Sequence, residues 1–466
     1  MTALDRFVSL DGHRTAMPLH PSRDDRRRST ASRGGPRYGV VLWLPLLIAL
    51  FWMLGTFGAF WLTRWSQEVS NPEQLVFFVI AATTLFTIGY VARIAMHKPE
   101  PARRVEPSRT LLVRRLILAS ACYFMILGFV RFRRSESVGL ANVWDRIQNP
   151  ADGYLRQQMA YLEAAPPTSP LTVVLVALGA LGTVLAPLLV VYWRSIPTWL
   201  RLIGLTGVAI HISYFLYIGT LKGLGDISVM LGAGLLILAA NRRAHSPAKR
   251  HRKLLLALAA ALASLFIAYM VYNQASRANE FDTVGRLSPN PTVEKILGRD
   301  AAVGLAVTIS YPTHGYAGLA HNLETPFEWS NGLGSSPSIA ALAQEQLGVD
   351  HEGRPSYPQR TEAISGWPAG MYWATVYPWL ASDLTFPGAA LFMALVGWFL
   401  ARFWTEAVFH RRILPMLLFG QICVFIAYIP ANNQLGMSPQ SVAGLFTLAA
   451  LYMLGSVHNR GRAKLR

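Results

Sequence analysis

The feature that most restricts this chain is a series of long apolar runs separated by short blocks of charge. A helix rises about 1.5 Å per residue, so roughly 20 apolar residues span the hydrocarbon of a bilayer. Ten runs reach or approach that length, at 38–62, 74–96, 112–131, 171–193, 199–219, 225–241, 253–273, 386–404, 413–430 and 439–456. The shorter ones suit helices whose ends meet protein or a water-filled cavity instead of lipid. Of the 466 residues, 52% are hydrophobic and only 15% charged, where a soluble domain carries about a quarter. The expectation is an all-α polytopic membrane protein of about ten transmembrane helices.

The charge balance is +18. Such a balance often marks nucleic-acid binding, but here it sits in short blocks between apolar runs, so no nucleic-acid partner is expected. Lys and Arg in such blocks hold loops on the cytoplasmic side. With the N-terminus inside and sides alternating, the cytoplasmic segments hold 30 Lys and Arg and 7 Asp and Glu, the external ones 13 and 18. The basic block "NRRAHSPAKRHRK" (241–253) would otherwise have to cross the membrane. Both termini are therefore expected in the cytoplasm. Residues 1–37, with Arg26, Arg27 and Arg28 consecutive, read as a disordered basic tail, and 457–466 as a second basic tail. The long first run, preceded by that tail, argues against a cleaved signal peptide. Cys122 and Cys423 fall inside apolar runs, so no disulfide framework is expected.

Helices 1–7 then occupy 38–273, with an external loop at 132–170, and helices 8–10 occupy 386–456. A large external loop, 274–385, precedes the eighth span. Its apolar stretch "AAVGLAVTISY" (301–311) is too short to cross and reads as a helix on, or dipping into, the outer surface. The chain has no Walker loop, dinucleotide fingerprint or Gly-x-Ser-x-Gly elbow, which disfavours an ATP-driven pump or a serine hydrolase.

The segment "SYPTHGYAGLAHNLETPFEWSNGLGSSPS" (310–338) concentrates groups that can do chemistry: His314, His321, Glu324, Glu328, Tyr311, Tyr316 and Trp329. Histidine moves protons near neutral pH and carboxylates serve as general bases. Aromatic faces suit sugar rings, and acids and amides bond hydroxyls. His314 and His321 are seven apart, which two helical turns bring to one face. The competing reading is an interfacial loop whose polar groups satisfy one another. No His-Glu-x-x-His pair or Cys cluster accompanies these histidines, so neither a metal nor another cofactor is expected.

Several basic residues oppose the positive-inside trend. Arg131, Arg133 and Arg134 stand at the outer end of the third span, and Lys222 lies in the turn "GTLKGLGD". Cations at an outer membrane surface suit a lipid pyrophosphate. Equally, the arginines could reach lipid headgroups, and Lys222 could pair with Asp226. In 354–388, Arg354 and Arg360 offer further anion contacts. Trp367, Tyr372, Trp373, Tyr377 and Trp379 read as an aromatic belt, and Asp383 as the cap of the eighth span.

The stretches "GTLKGLGDISVMLGAGLLIL" (219–238), "ISYPTHGYAGLAHNLETPFEWSNGLGSSP" (309–337) and "GMYWATVYPWLASDLTFPGAALFMALVGWF" (370–399) resemble bacterial O-antigen polymerases, which join oligosaccharide repeat units. The topology is similar over most of the chain. The resemblance implies a GT-C-like helical fold in the bacterial cytoplasmic membrane. It also implies a metal-independent, inverting glycosyltransferase that moves a growing chain from undecaprenyl pyrophosphate to the non-reducing end of a new unit. The implied partners are undecaprenyl-pyrophosphate-linked oligosaccharide, membrane lipid, a flippase and a chain-length regulator. Carried residue by residue, phosphate binding falls to Lys222, Arg354 and Arg360. Acceptor activation falls to His314, with His321 or Glu324 behind it. Lys222 stands where the resemblance leads one to expect Arg, and Lys binds as a point charge, not a fork. An O-antigen ligase shares this site with another acceptor. A transporter or flippase would be expected to carry ionisable residues or broken helices at mid-membrane, where His211 is the main exception to a nearly charge-free interior.

Overall fold

In a computed structural model, residues 36–96, 108–134, 140–162, 169–245, 250–280, 290–349 and 355–464 are described, and among them every regular element is helical. Met1–Val41 forms one unit, described only as the start of the first helix, and Leu42–Arg466 forms a second. The expected tail, 1–37, and Arg354 thus lie almost wholly or wholly outside the described residues.

The long helices are α1 (Pro36–Phe60), α2 (Pro72–Ala95) and α3 (Ser108–Arg134). Two short helices follow in the expected first external loop, α4 (Leu140–Gln148) and α5 (Pro150–Leu162). The fourth run folds as α6 (Pro170–Ala177) and α7 (Leu181–Tyr192), bent by 45° where they meet. Next come α8 (Thr198–Tyr217), α9 (Lys222–His245) and α10 (Arg250–Glu280). The segment expected as a large loop is largely helical: α11 (Pro291–Leu297), α12 (Arg299–Ser310), α13 (Gly315–Glu324), α14 (Pro337–Leu347) and α15 (Tyr357–Ser365). The chain ends in α16 (Tyr377–Val408), α17 (Ile413–Ala427) and α18 (Pro439–Lys464).

Among the described residues, six helices are long and apolar enough to cross a membrane: those at Gly39–Phe60, Pro72–Ala95, Thr110–Arg133, Thr198–Tyr217, Lys222–Asn241 and Tyr377–Val408. The bent pair α6–α7 makes up to seven. The chain is therefore a polytopic helical membrane protein by length and composition. The runs expected at 413–430 and 439–456 form the shorter apolar helices Ile413–Ala427 and Pro439–Gly455. The run at 253–273 lies inside α10, whose side chains are only partly described.

Local sequence explains where helices begin. Ser169, Asn290 and Ser336 each precede a proline, and each side chain accepts a hydrogen bond from a backbone N–H of the first turn. A polar cap followed by Pro at the first helical position satisfies orphan donors and removes one of them. The expected cap of the eighth span needs correction. Asp383 lies within α16, and the helix breaks two residues later at Thr385 (φ 64°, ψ 166°). Thr385 Oγ1 accepts from Gly388 N at 3.3 Å and so caps the second half. Pro387 follows inside that first turn.

The principal pairing is α2 along α16, with α3 against α8 and α7, and α9 between α7 and α17. Helices in lipid associate through close packing of small residues. A methyl added at Gly89 would meet Ala394 O at 1.9 Å, and one at Gly397 would meet Phe86 O at 2.0 Å. The two backbones touch because neither glycine has a side chain. Gly397→Ala is expected to destabilise the fold by about 1–3 kcal/mol. Gly55→Ala, whose methyl meets nothing within 4 Å, should leave stability unchanged. Thermal unfolding of the detergent-solubilised protein measures both, and equal midpoints would contradict the close α2–α16 contact.

Candidate functional site

Of the groups singled out in 310–338, Tyr311, His314, Tyr316, His321 and Glu324 gather where α1 ends and α2, α13 and α16 begin. Asn71 Nδ2, just before α2, donates to Ala320 O at 3.0 Å. Val376 N, just before α16, donates to Ile429 O at 2.9 Å. His314 directly precedes α13 and is buried. Its Nδ1 lies 2.9 Å from Ser310 O, and Trp373 N donates to its Nε2 at 3.0 Å. The ring must then carry its proton on Nδ1 and be neutral. Burial drives its pKa down to about 4, below the 6.5 of an ordinary histidine. With both nitrogens bound to main chain, His314 has none left for an acceptor hydroxyl. In this geometry it positions the loop.

Of the aromatic residues expected as a belt, Tyr372 and Trp373 pack on this histidine, and Trp367 packs on Tyr372. Trp373 stacks on the His314 ring at 5.3 Å and 24°. Tyr311 meets Trp373 edge-on at 4.5 Å. Trp65, between α1 and α2, packs on His314, Trp367 and Tyr372 and donates from Nε1 to Ser310 Oγ at 2.6 Å. Trp367, Tyr377 and Trp379 are buried. These rings face protein because the 367–376 segment has no helix of its own and its backbone must be shielded and satisfied. Trp65 was not singled out in the sequence, where it is one aromatic in an ordinary loop.

Tyr316 also changes role. It is 1% exposed, its hydroxyl lies 2.9 Å from Thr56 Oγ1, and it packs on Phe57 and Phe60. Burial pushes its pKa up. It is a core residue that ties α13 to α1, not a sugar contact. The remaining predicted groups are accessible. His321 is half-buried, with its ring 5.2 Å from Trp367. Glu324 is exposed and accepts from Ser70 Oγ at 2.6 Å. Glu328 and Trp329 are exposed. Tyr311 is half-buried and accepts from Arg277 Nη1 at 3.4 Å.

The basic residues fall into two groups. Arg360, on α15, is 7% exposed. Its guanidinium lies over the Tyr357 ring at 4.5 Å, and Nη1 donates to Pro355 O at 2.6 Å. Its Nε and Nη2 are buried with no hydrogen-bond partner among the described residues. Burial works against its charge, while Glu328 and Tyr357 favour it. The second group rings the turn between α8 and α9. Arg131 lies over Tyr214 and Phe215, at 5.0 and 5.5 Å. Lys222 opens α9, with Asp226 and Arg131 as the charges acting on it. Asp226 accepts from Gln434 Nε2 at 3.1 Å, and Tyr428 lies beside it. Arg133 is exposed, and the side chain of Arg134 lies outside the described residues.

Arg277, which the sequence did not single out, connects this turn to the aromatic cluster. It lies over Tyr154 at 3.5 Å and reaches Tyr311. One turn earlier on α10, Asn273 Nδ2 donates to Gly219 O at 3.3 Å. Among the described residues no contact joins Arg360 to Lys222 or Arg131, which lie on other elements. No group of three or more His, Cys, Asp or Glu residues could hold a metal ion among the described residues.

Asp383 organises the loop 330–335. Its Oδ1 accepts from Ser330 Oγ, Gly332 N and Gly334 N at 2.7, 2.9 and 3.4 Å. Its Oδ2 accepts from Ser335 N and Oγ at 2.7 and 2.6 Å. Asp383→Asn replaces one acceptor oxygen with a donor facing a donor. It should cost about 1–3 kcal/mol and open 330–337 to limited proteolysis, a readout that an unchanged digestion pattern would contradict. His314 adds a pH dependence. Its folded pKa is depressed, so the unfolded chain binds the extra proton first, and stability falls as pH drops from 6.5 towards about 4. The full effect is roughly 3 kcal/mol. Unfolding measured at pH 7.5 and pH 5 should differ more for the natural protein than for His314→Gln.

No family model, curated protein or solved structure matches this chain.

Proposed function

We propose that this chain is a membrane glycosyltransferase that polymerises undecaprenyl-pyrophosphate-linked oligosaccharide repeat units at the outer face of the bacterial cytoplasmic membrane. In this reading the chain crosses about ten times on a GT-C-like scaffold, with both termini in the cytoplasm. The observation that carries it is Arg360, a buried guanidinium whose Nε and Nη2 have no hydrogen-bond partner among the described residues. A buried donor without an acceptor is destabilising, and more so on a charged group. An arriving anion removes that penalty. A pyrophosphate leaving group takes up charge at the transition state, which such a donor stabilises.

The other roles follow from accessibility. Glu324 and His321 are the groups left to accept the proton of an acceptor hydroxyl, since both His314 nitrogens are bound to main chain. Trp329 offers an exposed aromatic face and Glu328 a carboxylate for sugar hydroxyls. Tyr311 is held by Arg277 and by the Trp373 ring. Lys222 and Arg131 supply positive potential at the α8–α9 turn.

Arg360→Ala should lower polymer formation from lipid-linked repeat units by about 10²–10³, with the amount of protein in the membrane unchanged. Arg360→Lys should recover only part, because Lys lacks the fork. Undiminished polymer from Arg360→Ala would overturn the reading. A transporter is the second reading, favoured by the broken α6–α7 helix and by Asp226, a carboxylate on a spanning helix that accepts from Gln434. Loss of the chain distinguishes the two. A polymerase leaves single repeat units facing outward, whereas a transporter leaves them facing inward.

A further inference from the structure

The opposite end of the α2–α16 pair holds a second charged cluster that the proposed chemistry does not use. Arg93 lies in the last turn of α2, about 30 Å along the helix from Asn71 by its rise per residue. The glycine contacts that press α2 onto α16 also set this end. Arg93 is one turn beyond Gly89, and Arg402 is five residues beyond Gly397. Close backbones therefore hold two guanidinium groups within each other's field.

One carboxylate serves this cluster. Glu406 is buried, and its Oε1 accepts from Arg402 Nε at 3.3 Å and from Tyr452 OH at 2.6 Å. Its Oε2 accepts from Arg412 Nη1 at 3.1 Å. Arg402 Nε also donates to Tyr452 OH at 2.7 Å. Arg93 makes no hydrogen bond or ion pair among the described residues, although the fields of Arg402, Glu406 and Tyr452 reach it. Among the described residues, three guanidinium groups thus share one carboxylate. The carbonyl end of α2 offsets part of the excess, but α17 begins directly after Arg412, and its amide end adds positive potential.

The surroundings identify what is missing. On the same ends of α2 and α16, Ile88, Val91, Met96, Leu395 and Phe399 are exposed apolar residues. Such surface faces acyl chains in a bilayer, so the cations stand at headgroup level. Basic pockets between membrane helices at that depth bind phosphate headgroups. We propose that Arg93, Arg402 and Arg412, gathered around Glu406, bind the phosphate of an anionic phospholipid. The lipid bridges α2, α16 and α17 and neutralises a charge excess that helix packing creates.

The test uses the full chain in nanodiscs of phosphatidylcholine with or without phosphatidylglycerol. Phosphatidylglycerol should raise the unfolding midpoint of the natural protein, and native mass spectrometry should detect retained lipid. At about 1 kcal/mol per basic residue, Arg93→Gln with Arg402→Gln should weaken retention about thirtyfold and abolish the shift. Arg93→Gln alone, which removes like-charge repulsion, should be as stable as the natural protein in phosphatidylcholine. That result separates loss of lipid from loss of fold. Arg194→Gln, at an exposed position elsewhere, should keep the shift. Equal stabilisation of the double variant by phosphatidylglycerol overturns the proposal. So does a shift reproduced by inorganic phosphate in phosphatidylcholine, which would assign the site to a free oxyanion. Polymer formation reads the Arg360 site separately, so the two readings fail independently.

Discussion

A backbone amide or carbonyl withdrawn from water has to find a partner, and helices meet that demand only while they last. Between α12 and α16 the helices are short and the connections many, so side chains take over. His314 accepts from Trp373 N and bonds Ser310 O. Asp383 collects three amides of the loop 330–335. Ser336 and Ser338 both donate to Gly436 O at 2.8 Å, and Asn433 Nδ2 donates to Ser335 O at 2.5 Å. The groups that look most reactive in the sequence are, in large part, what fastens this segment to the helices. Chemistry is left to the side chains that this fastening does not consume.

The break in α16 belongs to the same scheme. Thr385 adopts a left-handed conformation that a β-branched residue rarely takes. Such strain persists only where the surroundings over-determine it. Here Asp383 anchors one side of the break to the 330–335 loop, Ser382 Oγ accepts from Tyr357 N at 2.8 Å, and Phe386 packs on Phe78 and Tyr357. The short helix before the break carries the loop connections, and the long one after it carries the packing against α2. A single chain thereby joins a polar cap to an apolar scaffold.

This division governs what the sequence made legible. Six of the ten expected runs were readable as spanning helices, and a seventh as a bent pair, because lipid imposes a length and a composition on each. The eighth run was expected to start at 386, whereas the apolar helix extends from Tyr377 to Val408 with the break at Thr385 inside it. The cap was less readable because its partners are distant in the chain. Trp65 and Ser310 are 245 residues apart, Thr56 and Tyr316 are 260 apart, and Asp383 lies 48 residues from Ser335. Nothing local to Tyr316 distinguishes a core tyrosine from a sugar platform. Nothing local to His314 predicts that Trp373 N will occupy its second nitrogen. Arg360 could be suspected from charge alone, but its two unpartnered nitrogens become visible only once α15 is packed.

The two ends of the structure manage their cations in different ways, and the difference bears on what each could bind. Around α13 and the α8–α9 turn, guanidinium groups lie over rings: Arg131 on Tyr214, Arg146 on Tyr217, Arg277 on Tyr154 and Arg360 on Tyr357. A ring engages the face of the guanidinium plane, while the N–H bonds point outward within that plane. Stacking therefore stabilises the cation without consuming all of its donors. At the far end Arg402 also lies over a ring, that of Tyr452 at 5.2 Å, but Glu406 engages Arg402 and Arg412 through their N–H groups directly, so the unsatisfied quantity there is mainly charge. The first arrangement suits a ligand recognised by directed hydrogen bonds, as a pyrophosphate leaving group would be. The second suits a diffuse anion held by potential, as a lipid phosphate at a membrane surface would be.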